Sequence, residues 1–176
     1  MKCQRKQLNG LYSATNYQNF LIKELIQKFK YEPFIKELAK PLASLVIDHF
    51  KLLDKEPDFS NFSLMAIPLW PKRLKWRGFN QSAEISKELS KKLNIPLISD
   101  CLIKTKETIA QVKLSKEERE RNIKGAFFCK NKAEILNKKI LLLDDIYTTG
   151  ATMEEAASIL LQSGAKGIWG ITVARE

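Results

Sequence analysis

The chain has 176 residues, 44% of them hydrophobic and 28% charged. That length suits one domain, and the composition suits a globular protein rather than a disordered, collagenous or membrane-embedded one. Apolar runs are short, Ile140–Leu143 being among the longest, far below the about 20 residues of a spanning helix.

The start, Met1-Lys2-Cys3-Gln4-Arg5-Lys6-Gln7, has no apolar leader core, which predicts a cytoplasmic protein without membrane insertion. Cys3, Cys101 and Cys129 are odd in number and far apart, a pattern of neither a disulfide framework nor a self-contained zinc site. The net charge is +10 and unevenly spread: residues 61–130 carry 15 basic and 7 acidic side chains, hence +8, while residues 131–176 are at −1. Such a field concentrates anions, which leaves nucleic acid, anionic membrane and polyphosphate substrates as partner classes beside a plain solvated surface.

In chain order, Phe20, Leu21, Leu25, Ile26 and Phe29 have helical spacing. A second helix follows Pro33, through Phe34, Ile35, Leu38, Leu42, Leu45 and Val46, with Pro41 able to kink or divide it. Its lone His49 reads as structural. Residues 54–62 are a polar loop, Leu64–Ile67 a buried strand, and 70–79 a basic, aromatic loop. Asn80 or Ser82 caps a helix with Ala83, Ile85, Leu89 and Leu93 inward. Cys101–Ile103 and Ala126–Cys129 are short strands around a polar stretch, 104–124, that reads equally as a helical turn or a mobile flap. Ile140–Leu143 is a buried strand, Met153–Ser163 a helix stopped by Gly164, and Gly167–Val173 the last strand. Apolar strands alternating with helices predict an α/β fold with a mostly parallel sheet. The first ~60 residues are expected to be helical, a hood over a core of residues 61–176.

Chemistry concentrates in Asp144-Asp145-Ile146-Tyr147-Thr148-Thr149-Gly150-Ala151-Thr152, directly after the Ile140–Leu143 strand. A turn between such a strand and a helix lies where open α/β sheets bind ligands. A helix start offers free N–H groups and a positive dipole end, Gly150 admits close approach, and three threonines add hydroxyls, which suits a phosphate monoester. Two adjacent carboxylates suit a diol or a hard cation. Phosphate and diol together describe ribose 5-phosphate. Neither a P-loop nor a dinucleotide fingerprint is present, since Gly164, Gly167 and Gly170 follow a helix rather than open one.

This run resembles the signature of type I phosphoribosyltransferases, in which two acidic residues, two variable ones and Thr-Thr-Gly-x-Thr follow a buried strand. The resemblance implies that Asp144 and Asp145 are the catalytic pair and hold the ribose of 5-phosphoribosyl 1-pyrophosphate (PRPP). It implies Mg²⁺ nearby, held largely through substrate and water, and a 5-phosphate wrapped by Tyr147 to Thr152. Arg77-Gly78-Phe79-Asn80-Gln81-Ser82, then Gln111, Leu114-Ser115, Arg119, Asn122 and Gly125-Ala126-Phe127, narrow the resemblance to the ComF family over residues 17 to 176. Some members of that family are linked to DNA uptake in natural transformation.

A pyrophosphate loop is then expected in Pro68–Arg77, with Lys72, Arg73 and Arg77 as its phosphate contacts, since guanidinium groups bind phosphate oxygens in pairs. Residues 104–124 take the place of the mobile catalytic loop, with Lys104, Gln111, Arg119 and Asn122 in reach. Family members often begin with a four-cysteine zinc module; here only Cys3 is near the start, so no zinc site is expected. The functional expectation is transfer of ribose 5-phosphate from PRPP to an unidentified acceptor. The alternative is a non-catalytic PRPP sensor or a competence factor holding single-stranded DNA, stacked on Trp70 and Trp76 among the basic residues.

Overall fold

The apolar run Ile140–Leu143 is the centre of the molecule, each of its side chains fully buried. In the computed structural model, which describes residues 7–108 and 116–176, it lies in strand β6 (Lys139–Tyr147). Around it are β1 (Gly10–Asn16), β2 (Phe62–Ala66), β3 (Leu97–Ile98) and β7 (Gly167–Arg175). The sheet order is β1-β7-β6-β2-β3 and every ladder is parallel. Parallel strands covered on both faces are continuously apolar, as Ile140–Leu143 of β6 is.

Alternate residues of β6 feed two cores. Leu141 and Leu143 join Ile26 and Phe29 of α1 (Phe20–Lys30), Leu42, Val46 and Phe50 of α2 (Ala39–Lys51), and Ile85 and Leu89 of α4 (Gln81–Leu93). Ile140 and Leu142 join Met153, Ala156 and Leu160 of α6 (Ala151–Gln162). The same core takes in Ile123 of α5 (Lys116–Ile123) and the antiparallel pair β4 (Leu102–Lys104) and β5 (Phe127–Cys129).

From β2 the chain passes through α4 to β3; from β6 it passes through α6 to β7, in the opposite direction across the sheet. The order therefore reverses between β2 and β6, and ligands of open sheets bind beyond the carboxyl ends of the strands at such a point.

Four expectations change. Gly10–Asn16 is an edge strand paired with β7, not part of a helical hood; β7 supplies the ladder that local periodicity does not show. Helix α2 packs on α4 and β1, and Pro41 stands in its first turn, where the missing N–H has no intrahelical partner, so it neither kinks nor divides the helix. Residues 71–77, expected as loop, form α3 (Pro71–Arg77), opened by Pro71 and closed by Gly78 at φ 77°. The strand expected over Ile140–Leu143, with the acid pair at its end, runs on through Asp144 and Asp145 to Tyr147, and the helix expected from Met153 begins at Ala151. Among the described residues no helix is long and apolar enough to cross a membrane.

Candidate functional site

The carboxyl end of β6 delivers Asp144, Asp145, Ile146 and Tyr147, and Thr148-Thr149-Gly150 turn the chain into α6. Gly150 takes φ 81° and ψ −6° as the cap of α6, a conformation that costs glycine little. A Cβ on Gly150 would overlap the Tyr147 hydroxyl. The Ala151 N–H donates to Thr149 Oγ1 at 3.4 Å. The start of α6, Thr148, Thr152 and Tyr147 line one concave spot, and the positive end of a helix suits an anion there.

The two carboxylates are differently held. Asp144 Oδ1 accepts from Ser82 Oγ at 3.1 Å and from the Asp145 N–H at 2.9 Å. Asp145 Oδ1 accepts from the Ile146 N–H at 2.7 Å and from Lys30 Nζ at 2.8 Å. Burial, then the charge of Asp145, pushes the Asp144 carboxyl up to about 7; Lys30, the Asp145 amide and Ser82 oppose this. At neutral pH the pair can both accept from and donate to hydroxyls.

Both aspartates open onto a cavity of about 800 Å³. Basic side chains share its lining and form a basic wall: Arg73 and Arg77 of α3, Lys104 of β4 and Arg119 of α5. Lys104 Nζ donates to Thr108 Oγ1 at 2.8 Å and Arg73 Nη2 to the Thr108 carbonyl at 3.5 Å. Burial, then the neighbouring Arg73, brings the Lys104 ammonium down to about 8. Burial and Arg73 also lower Arg77, whose Nη1 donates to Gln81 Oε1 at 3.0 Å.

Of the expected site residues, Asp144, Asp145, Ile146, Tyr147, Thr148, Gly150, Ala151, Thr152, Arg73, Arg77, Lys104 and Arg119 line this cavity. Thr149 contributes through the turn. Lys72 points away, to Glu107 at 3.6 Å. Asn122 lies outside the lining, and Gln111 and Cys3 lie outside the described residues.

The Arg77–Ser82 string is a brace around the site. Asn80 Nδ2 donates to the Ile67 carbonyl at 2.9 Å, Gln81 Nε2 to the Phe29 carbonyl at 3.1 Å, and Ser82 to Asp144. It joins β2, α1 and α4 to the acid pair. Sequence reasoning misses two members of the site. Ser82 reads as a helix cap and as the end of the Arg77–Ser82 string, not as a partner of Asp144, and Lys30 carries no local signal; only a fold-level pairing of α1 with β6 identifies it.

Two carboxylates facing a cavity suit a hard, oxygen-seeking cation such as Mg²⁺. Among the described residues no third His, Cys, Asp or Glu completes a metal cluster, so such an ion would draw its remaining ligands from substrate and water. Elsewhere, Cys101 and Cys129 come together with their sulfurs 3.6 Å apart, and burial, then Cys129, pushes the Cys101 thiol up to about 11.

Comparison with known proteins agrees with this geometry. Residues 80–175 match the phosphoribosyl transferase domain family. Competence protein F of Haemophilus influenzae is 32% identical over 154 residues, covering 84% of this chain and 66% of that protein. DNA utilization protein YhgH of Escherichia coli K12 is 35% identical over 105 residues, 60% of this chain and 45% of that one. The chain thus spans about half to two thirds of these relatives. A solved allosteric regulatory enzyme of purine biosynthesis shares the fold at TM-score 0.52 and 15% identity, over 84% of this chain and 30% of that one. The acid pair and the Thr148–Gly150 turn at the end of β6 therefore stand in a chain that belongs to the phosphoribosyl transferase domain family, in its ComF branch.

Proposed function

We propose that the chain binds PRPP and transfers its ribose 5-phosphate to an amine or base acceptor. The observation that carries this is one cavity lined by an acid pair, a threonine-rich turn at a helix start and several basic side chains. In this reading Thr148–Thr152 hold the 5-phosphate, Asp144 and Asp145 the ribose hydroxyls, and Arg73, Arg77, Lys104 and Arg119 the pyrophosphate. The bond between the anomeric carbon and the pyrophosphate oxygen breaks, the acceptor nitrogen bonds to that carbon, and the acceptor proton leaves to water. Positive charge developing on the ribose faces Asp144 and Asp145, and negative charge on the departing pyrophosphate faces the basic wall. Mg²⁺, when bound, would neutralise pyrophosphate charge beside the acid pair. In this reading residues 61–176 supply the phosphate, ribose and pyrophosphate contacts, and helix α1, which lends Lys23, Gln27 and Lys30 to the cavity lining, is the hood. A cytoplasmic location belongs to the same reading.

The test is calorimetric titration of PRPP with and without Mg²⁺. Saturable binding that Asp145→Ala abolishes supports the reading; a wild-type chain that takes up no PRPP in either buffer sinks it.

A second, non-catalytic reading has its own observation. Trp76, beside Lys75 on α3, is 57% exposed at the cavity mouth. An exposed aromatic among cations suits a base of single-stranded DNA, in keeping with relatives named for competence and DNA utilization. On that reading the chain senses PRPP or holds the strand without transferring ribose. Turnover of PRPP to pyrophosphate distinguishes the two.

A further inference from the structure

Two adjacent carboxylates at a strand end are a poor place for an anionic sugar phosphate unless something offsets their charge. In this chain the offset is built in. Lys30, the last residue of α1, contacts Asp145 at 2.8 Å, and its side chain is only 19% exposed. Its position is fixed on both sides. The Phe29 carbonyl accepts from Gln81 Nε2 at 3.1 Å, and the fully buried Phe29 ring packs on Phe79 at 5.4 Å. The Tyr31 N–H donates to the Gln27 carbonyl at 2.8 Å, and the Arg77 guanidinium lies over the Tyr31 ring at 5.5 Å. Lys30 therefore reaches the acid pair from a rigid helix end, unlike an exposed ion pair that solvent screens. An ammonium has three donors, and Lys30 lines the same cavity as the pair.

We propose that Lys30 is a resident counter-ion of the Asp144–Asp145 pair, which lets the site hold a ribose phosphate bearing a free 2,3-diol without a divalent cation bridging sugar and carboxylates. The inference rests on the ribose reading of the site. Asp145 shares its oxygens between Lys30 and a ribose hydroxyl, and the ammonium keeps the local charge from repelling the phosphorylated ligand. Mg²⁺ then serves the pyrophosphate and is dispensable for a ligand that lacks one.

The experiment titrates ribose 5-phosphate, which has no pyrophosphate, into the full chain by calorimetry in EDTA and in Mg²⁺, beside PRPP in Mg²⁺. Wild-type affinity for ribose 5-phosphate is expected to agree within about twofold in the two buffers. Lys30→Met should lose about tenfold or more in EDTA, a change of about 1.4 kcal/mol, and regain part of it in Mg²⁺. Lys30→Arg should bind in EDTA close to wild type. A wild-type chain that binds ribose 5-phosphate only in Mg²⁺ overturns the inference, as does a folded Lys30→Met that binds in EDTA like wild type. If Lys30→Met fails to fold, the wild-type buffer comparison and Lys30→Arg decide. PRPP binding in Mg²⁺ that survives while these fail removes only the role of Lys30; its absence removes the ribose reading itself.

Discussion

Ser82 Oγ donates to Asp144 Oδ1 at 3.1 Å, joining the first turn of α4 to the end of β6 across 62 positions of sequence. The bond crosses the point where the sheet order reverses, so it ties the two halves of the site together. It also favours the ionised form of Asp144. Ser82→Ala should cost about 1.5 to 3 kcal/mol in urea denaturation, the range for a hydrogen bond to a charged group, and should move the Asp144 carboxyl further up. Unchanged stability and an unchanged carboxyl titration would show that the bond contributes to neither.

Asp144 has a second, pH-dependent consequence. An unfolded aspartate titrates near about 3.9, while folded Asp144 keeps its proton up to about 7. Between these values the folded state holds the extra proton. Stability should therefore fall as pH rises from about 4 to about 7 and level off above that. Asp144→Asn removes the charge while keeping an oxygen to accept from Ser82 and the Asp145 N–H. At about pH 8 the variant should be more stable than wild type by on the order of 1 kcal/mol. Ribose 5-phosphate affinity should drop, because the amide oxygen is the weaker acceptor. The measurement is thermal denaturation of both proteins across this range; a variant keeping the full wild-type slope would assign the slope to another group.

Gly150 tests the phosphate turn. Its φ of 81° is unfavourable for any residue with a Cβ, and a Cβ there would also meet the Tyr147 hydroxyl. Gly150→Ala should destabilise the fold by about 1 to 3 kcal/mol and abolish ribose 5-phosphate binding, even where the protein stays folded. Adding Tyr147→Ala should recover part of the stability and none of the affinity, because overlap is relieved while the turn stays distorted. Full affinity in the single variant would show that the turn does not hold the phosphate.

What is legible in the sequence follows the range of the interactions. Ile140–Leu143 and the acid–threonine run are local, and local pattern puts strand, carboxylates and turn in the correct order. Gly10–Asn16 has no such signal, because it is a strand only through its ladder with β7. The Arg77–Ser82 string is visible as a motif, yet its job is long-range: Gln81 reaches Phe29 and Ser82 reaches Asp144. Lys30 is hidden for the same reason, since its partner is brought to it by the packing of α1 on the sheet. Lys72 illustrates the converse. It lies among true cavity residues in sequence, but the turn of α3 sends Arg73 and Arg77, four apart, into the cavity and Lys72 outward to Glu107.

The same helix separates the two tryptophans. Trp70 is half-buried, its indole N–H enclosed within the fold. Trp76 stands out at the cavity mouth, supported edge-on by Phe34 at 5.3 Å and by Tyr31 at 6.4 Å. If single-stranded DNA docks here, Trp76→Ala should weaken binding of an oligothymidylate by about tenfold, within the range for loss of one stacked base. Trp76→Phe should keep most of the affinity. Lys72→Ala and Lys75→Ala should lower the salt dependence by about 0.7 in the log–log slope for each DNA phosphate that the lysine neutralises. Fluorescence anisotropy between about 50 and about 200 mM salt reads all of these. A Trp76→Ala protein that binds the strand like wild type would move the DNA elsewhere on the chain. A strand that binds at neither salt concentration would remove DNA as a ligand and leave PRPP as the sole candidate for this cavity.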